Sequence, residues 1–177
     1  MKEKTLESKV LFEGKVLKLL LETVELHDGS KATREIVETC IGVNFLPINE
    51  NGEALLIREY RHGPQKVVWR VPGGWMNNSD KDPKEAAQRE LAEELGYKAK
   101  NMDLIFTTNG SGILRQKEYY FLARGLYTPK GHYSLDEGEN LKVHPTPIEK
   151  AIEMARKAKL DKGSSLLILL SENKIKK

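Results

Sequence analysis

The order of elements in this chain predicts a mixed α+β fold, and three observations carry that expectation. Alternating apolar and polar runs are joined at His27-Asp28-Gly29 and at Glu50-Asn51-Gly52-Glu53, and Asp-Gly or Asn-Gly between such runs signals a β-hairpin. A glycine turn, Pro72-Gly73-Gly74, then leads into a short acidic helix. After two further strands, the C-terminal segment returns to helical signals. Hairpins first, then strand–turn–helix, then strands and terminal helices call for helices packed on a sheet.

Taken in order, Val10 to Leu26 is a loosely alternating strand, rich in Val and Leu, whose hairpin partner runs from Ala32 to Glu38. Cys40 to Pro47 is the next strand, and Ala54 to Arg58 follows it across the second hairpin. Val67 to Val71 is a short strand leading into the glycine turn. Asp82 then stands at an N-cap position, Pro83 at the first helical position and Glu85 three residues after the cap. That is a capping box with proline fixing the helix start. Gly96 is placed to close the helix in the left-handed conformation, which gives a helix of about 13 residues. Leu104 to Thr108 and Tyr119 to Ala123 read as strands separated by a polar loop that contains residues 110–117. Residues 126–145, rich in Gly, Pro and charge, read as loop. Thr146-Pro147-Ile148-Glu149 repeats the capping-box signal and opens a helix to about Leu160. Beyond the break at Gly163, Ser164 to Leu170 is a second short helix.

The 177 residues suit one domain with a small N-terminal extension. At 39% hydrophobic and 31% charged, the chain can bury a sizeable core. A net charge of +3, scattered apart from Lys174-Ile175-Lys176-Lys177, is too slight for a nucleic-acid surface, and that tail reads as a frayed end. Cys40 has no second cysteine to pair with, and in VETCIGV it reads as a small, buried strand residue. MKEKTLESK has no apolar leader, and no run reaches the ~18 apolar residues of a membrane span. The expectation is therefore a cytoplasmic protein that engages neither nucleic acid nor membrane.

The acidic helix concentrates the chemistry. Ala87, Leu91 and Leu95 form a stripe that can be buried, while Glu90, Glu93 and Glu94 share a neighbouring face. Carboxylates at this spacing repel one another. A hard divalent cation such as Mg²⁺ removes that penalty, because it takes oxygen ligands and keeps waters and phosphate as the others. The competing reading is a solvated acidic face. The adjacent glycine turn favours the cation, since it brings backbone groups beside the helix.

Gly74 … Arg89-Glu90-Leu91-Ala92-Glu93-Glu94-Leu95-Gly96-Tyr97 resembles the box of the Nudix hydrolase superfamily, G-x5-E-x7-R-E-U-x-E-E-x-G-U, where U is a bulky apolar residue. The second half matches at every specified position once Tyr97 stands as the last U. The first half departs from it. Counted back from Arg89, the glutamate position holds Lys81 and the glycine position Trp75, so the loop is one residue longer. Asp80 is the nearest stand-in for the acid that positions the box arginine, and Glu85 is the other residue able to pair with Arg89. The resemblance continues through Gly14-Lys15, Arg34-Glu35-Ile36-Val37, Ile57-Arg58-Glu59-Tyr60-Arg61 and Trp69-Arg70-Val71-Pro72-Gly73-Gly74. These segments are similar to the ADP-ribose pyrophosphatase and nucleoside-diphosphate-sugar hydrolase branch.

That resemblance implies a Nudix-like α/β/α sandwich with a mixed sheet. Residues 39–177 would form the hydrolase domain, and residues 1–38 would form a β extension in a homodimer interface. It implies Mg²⁺-dependent hydrolysis, with Mn²⁺ as a substitute, of the pyrophosphate bond in ADP-ribose or a nucleoside diphosphate sugar. Metal ligands would be Glu90, Glu93, Glu94 and the Gly73 carbonyl. Arg34 and Arg58 would contact the nucleotide or its phosphates, against a competing reading as salt-bridged strand-end arginines. Trp75 is the candidate for stacking on a base, whereas Trp69 reads as core. His62, His132 and His144 share no spacing with carboxylates and read as surface residues.

Two departures bear on the chemistry. Arg70 stands where the branch has glutamate, reversing the charge beside the substrate. Gln116 stands where the branch has a catalytic glutamate, which leaves Glu118, two residues on, or Glu93 to act as base beside the metal-holding Glu94. Lys81 and Gln116 also support an alternative, a nucleotide-binding module that hydrolyses little or nothing.

Overall fold

The computed structural model describes residues 2–131 and 141–175. The strands in chain order are β1 (Lys4–Glu13), β2 (Leu17–Glu25), β3 (Lys31–Thr39), β4 (Gly42–Pro47), β5 (Glu53–Arg61), β6 (Lys66–Arg70) and β7 (Gly73–Trp75). Helix α1 (Pro83–Leu95) follows, then β8 (Lys98–Asn109), β9 (Leu114–Arg115), β10 (Lys117–Tyr127) and β11 (Leu141–Pro147). The chain closes with α2 (Ile148–Arg156) and α3 (Lys162–Ile175). This is the α+β arrangement expected from the sequence. No helix is long and apolar enough to cross a membrane.

The chain forms two compact units, Met1–Ile41 with Thr108–Glu118, and Gly42–Thr107 with Tyr119–Lys177. The smaller unit is one sheet in the order β1-β2-β3-β9, antiparallel except for β9, which lies parallel to β3. The single strand expected over Val10 to Leu26 is two strands, because the chain reverses at Gly14, whose amide donates to the Leu17 carbonyl at 2.9 Å. Alternation continues on both sides of that turn and conceals it. On β2, Leu20, Glu22 and Val24 are buried with the period of two that a strand imposes. Every residue of the edge strand β1 is exposed, including Leu6, Val10, Leu11 and Phe12.

The larger unit holds two sheets, ordered β7-β4-β10-β8 and β11-β5-β6. Strand β4 is buried on both faces. Val43 and Phe45 pack with Ala86, Ala87 and Leu91 of α1, and Leu46 joins a second cluster with Leu56, Leu122, Ile152 and Ile168. Near-continuous apolar sequence over 43–48 follows from that central position.

Several local expectations are corrected. The glycines of the expected Pro72-Gly73-Gly74 turn lie instead in the short strand β7, with Asn44 opposite Gly73, Val43 opposite Gly74 and Gly42 opposite Trp75. Leu141–Pro147 lies within the segment read as loop, yet it pairs along β5 from Glu59 to Glu53. Pro145 and Pro147 disguised it, and β11 tolerates them because it is an edge strand. The capping box expected at Thr146 does not form. Thr146 donates its hydroxyl to the His144 carbonyl at 3.0 Å, and α2 begins after Pro147 without a side-chain cap. Helix α2 ends at Arg156, short of Leu160, and α3 runs past Leu170 to Ile175. Cys40 is half-buried in the link between β3 and β4 rather than inside a strand. His144 is half-buried against Trp69, ring centroids 4.9 Å apart, and is not a surface residue. His62 is exposed, and His132 lies outside the described residues.

Candidate active site

Helix α1 starts and stops where its sequence dictates. Asp82 accepts from the Glu85 amide at 2.8 Å, Glu85 accepts from the Lys81 amide at 2.8 Å, and Gly96 closes the helix at φ 74°. Burial of Ala86, Ala87, Leu91 and Ala92 fixes the helix's rotation. Glu90 and Glu93 are thereby left partly open, while Glu94 is driven inward. The glycines of β7 permit the close approach. Gly73 adopts φ 155°, and a Cβ there would lie 2.3 Å from the Val43 carbonyl oxygen. A Cβ on Gly74 would lie 2.3 to 2.5 Å from the Glu90 carboxylate, so that carboxylate rests directly on the glycine backbone.

Two arginines organise the acids around this junction. Arg89 donates to both oxygens of Asp80 at 3.1 and 3.0 Å, to Glu90 at 2.9 Å, to Glu93 at 2.7 Å and to the Trp75 carbonyl at 2.8 Å. Of the two acids able to hold Arg89, it is Asp80 that does so, while Glu85 serves the helix start. Burial works against the Asp80 charge, but the Arg89 fork and the Asn77 amide hold its carboxyl below the ordinary range.

Arg70, the reversed charge, points into the junction. It pairs with Glu59 and with Glu94 Oε1 at 2.8 Å, and donates to the carbonyls of Val71 at 3.0 Å and Gly73 at 3.2 Å. The second Glu94 oxygen accepts from the Gly73 amide at 2.9 Å. Burial raises the Glu94 carboxyl to about 7, against the pull of Arg70 and that amide. Desolvation also opposes the charge on Arg70, and Glu94 and Glu59 more than restore it. Ser164 steadies the strand end by accepting from the Val71 amide at 2.8 Å, and its own hydroxyl donates to Asp161.

Glu59 is the residue that the sequence reading missed. Its signal is visible once register is known. Arg70 lies opposite Ile57 in the β5–β6 pair, and Glu59 is the diagonal neighbour on the same face.

Five carboxylates, Glu59, Asp80, Glu90, Glu93 and Glu94, therefore meet three guanidiniums, Arg61, Arg70 and Arg89. Around Arg89 alone, the carboxylates of Asp80, Glu90 and Glu93 carry a formal surplus of two negative charges, which suits a divalent cation. Among the described residues no three His, Cys, Asp or Glu side chains converge as a ready-made cage. The two corners differ in fit. Glu90 and Glu93 pair with the partly exposed Arg89, whereas Glu94 and the Gly73 carbonyl are engaged by buried Arg70.

The remaining predicted residues lie as follows. Arg58 places its guanidinium 5.9 Å from the Trp69 ring centroid, a cation–π distance. Trp69 itself packs against the core. The Trp75 ring is exposed. In the smaller unit, Arg34 is paired with Glu3 at 2.6 and 3.1 Å. Glu118 accepts from the Thr108 hydroxyl at 3.3 Å, and Gln116 lines an open pocket with Glu38, Gly110 and Arg115.

Comparison with known proteins agrees with this geometry. Residues 38–166 match the NUDIX domain model, and residues 3–37 match the nucleoside diphosphate sugar hydrolase N-terminal domain. The chain is 31% identical over 155 residues to the ADP-ribose pyrophosphatase of Bacillus subtilis (strain 168), a match spanning 87% of this chain and 83% of that protein. It is 28% identical over 159 residues to the methanol dehydrogenase activator of Bacillus methanolicus, across 89% and 85% of the two chains. A crystal structure of an ADP compounds hydrolase superposes with a TM-score of 0.83 over 99% of this chain and 95% of that one, at 21% identity, which shows a shared fold. With the domain model spanning residues 38–166 and the arginine–glutamate helix set against the glycine strand, the chain belongs to the Nudix family.

Proposed function

We propose that this Nudix hydrolase cleaves the pyrophosphate bond of a nucleoside diphosphate linked to a further group, with ADP-ribose or a nucleoside diphosphate sugar as the substrate class. The observation that carries the reading is the surplus of carboxylate at Glu90 and Glu93, side by side on α1 against the glycine backbone of β7. Glu90 and Glu93 would hold Mg²⁺, or Mn²⁺ in its place, exchanging Arg89 for the cation. When bound, that cation supplies neutralisation of the pyrophosphate and a water activated for attack. Arg89 stays tied to Asp80, so the glutamates keep their orientation as the partner changes. Glu93, the more open of the two, would take the proton of the attacking water, and Glu118 is the alternative base.

Arg34 would bind a substrate phosphate in exchange for Glu3, and a guanidinium fork suits a phosphate at least as well as a carboxylate. Arg58 and the exposed Trp75 ring would contact the nucleotide. The exposed Leu6, Val10 and Phe12 of edge strand β1 support a homodimer, since a long apolar edge invites pairing unless it is covered.

The test is release of nucleoside monophosphate from ADP-ribose and a panel of nucleoside diphosphate sugars, with Mg²⁺, Mn²⁺ or chelator. Turnover should require the cation, and Glu93→Gln should lower kcat by at least roughly a hundredfold, the loss expected when a ligand of a charge-neutralising cation is removed. Full turnover in chelator would sink the cation assignment. Tight substrate binding without turnover would instead support the binding-module reading, which Gln116 favours.

A further inference from the structure

We infer that the Arg70 guanidinium is a resident cation that closes one corner of the Nudix junction to metal, so that cation binding by the wild-type chain is confined to Glu90 and Glu93. The inference rests on the reading of those two glutamates as cation ligands. Four oxygen-bearing groups surround Arg70: the carboxylates of Glu59 and Glu94, and the carbonyls of Val71 and Gly73. Two anionic and two carbonyl groups are the donor set a hard divalent ion would seek, and Arg61 also pairs with Glu59 from the exposed side. Here all three Arg70 guanidinium nitrogens are spent on these four groups.

Displacement by an incoming ion is disfavoured on both sides of the exchange. Arg70 cannot shed its proton in a protein. Expelling it would strand a buried, permanent charge among groups that had satisfied it, and a buried charge that loses its partner is strongly destabilising. Nor is either Glu94 oxygen open, because the Gly73 amide holds the one that Arg70 does not. Arg89 carries the same permanent charge but is less confined. It keeps Asp80 and the Trp75 carbonyl after releasing Glu90 and Glu93, and it is partly exposed.

The test is Mn²⁺ binding to the full chain at pH 8, counted by equilibrium dialysis and by the paramagnetic resonance of the free ion. In the wild-type background, Glu93→Gln should weaken Mn²⁺ by at least about tenfold, the range that even outer-sphere partners command, while Glu94→Gln should change it by less than about threefold. Arg70→Gln, which vacates the corner, should bind one more Mn²⁺ per chain than wild type. Arg70→Gln combined with Glu94→Gln should lose that extra ion.

A loss of tenfold or more in Glu94→Gln alone would overturn the inference, and so would a folded Arg70→Gln variant with no added ion. If Arg70→Gln fails to fold, the contrast between Glu93→Gln and Glu94→Gln still decides. A wild type that binds no Mn²⁺ beside an Arg70→Gln variant that binds it would uphold the closed corner and sink the cation-dependent hydrolysis instead.

Discussion

Arg70 and Arg89 meet the acids of the same helix from opposite sides, and their surroundings give them opposite properties. Arg89 is partly exposed, has two acids it can release, and keeps an anchor in Asp80 when it does. Arg70 is buried, pairs with buried Glu94 and shares half-buried Glu59 with Arg61. An ion pair in a solvated corner is cheap to exchange, because water and an incoming ion share the cost of separation. A pair in a dry corner is held by the desolvation of whichever charge is left behind. Three glutamates that look equivalent in sequence are therefore two that are partly open and one buried against Arg70.

The comparison breaks most visibly at Arg70. Arg70→Met keeps the apolar length of the side chain and leaves buried Glu94 without its cation, while half-buried Glu59 keeps only Arg61. Loss of one partner from a buried pair costs about 3–5 kcal/mol. Urea denaturation at pH 8 without divalent ions should show a loss of that size, and Mn²⁺ should restore part of it by entering the vacated corner. A loss below roughly 1 kcal/mol, the range of solvated ion pairs, would show that the two corners are alike after all.

A smaller effect separates the corners by pH. The Glu94 carboxyl has a folded-state value of about 7, above its ordinary 4.5. Between those values the folded chain holds a proton that the unfolded chain has released. The stabilisation from that proton is complete below pH 4.5 and is lost as pH rises through 7. The shift bounds the loss at roughly 3 kcal/mol. Glu94→Gln resembles the protonated state throughout, so wild type should lose stability relative to this variant across the window. Parallel urea midpoints for the two chains from pH 4.5 to 7 would show that Glu94 is not raised.

Helix α1 is legible in the sequence because its signals are local: an acid at the N-cap, proline at the first turn, and glycine where the backbone turns left-handed. The Asp80–Arg89 pair was legible as one of two options, since it closes over nine residues of loop and first helical turns. Arg70 was legible as a reversed charge but not as the guardian of Glu94, because its partners come from the β5–β6 register and from a helix 24 residues away. Pairing of that kind is absent from spacing along one chain. The β11 strand was lost for a related reason. Prolines argue against a strand until the sheet order shows which strand is the edge.

The finest test sharpens the Arg89 corner alone. In Asp80→Asn the carboxamide oxygen still accepts one hydrogen bond, from Arg89 or from the Asn77 amide that Asp80 now holds at 2.9 Å, but the negative charge is gone. Hydrogen bonds to charged groups contribute about 1.5–3 kcal/mol, and the lower part of that range is expected because Arg89 keeps other acceptors. A residue that merely closes the loop would show this loss and nothing else. If Asp80 anchors Arg89 during exchange, its removal drives Arg89 more firmly onto Glu90 and Glu93, and Mn²⁺ binding should weaken by about tenfold, as for other residues that orient metal ligands. Asp80→Glu, which restores the charge on a longer stem, should recover more of the Mn²⁺ affinity than of the stability. Reduced stability with Mn²⁺ affinity unmoved would reduce Asp80 to a loop residue and leave the openness of this corner to solvent exposure alone.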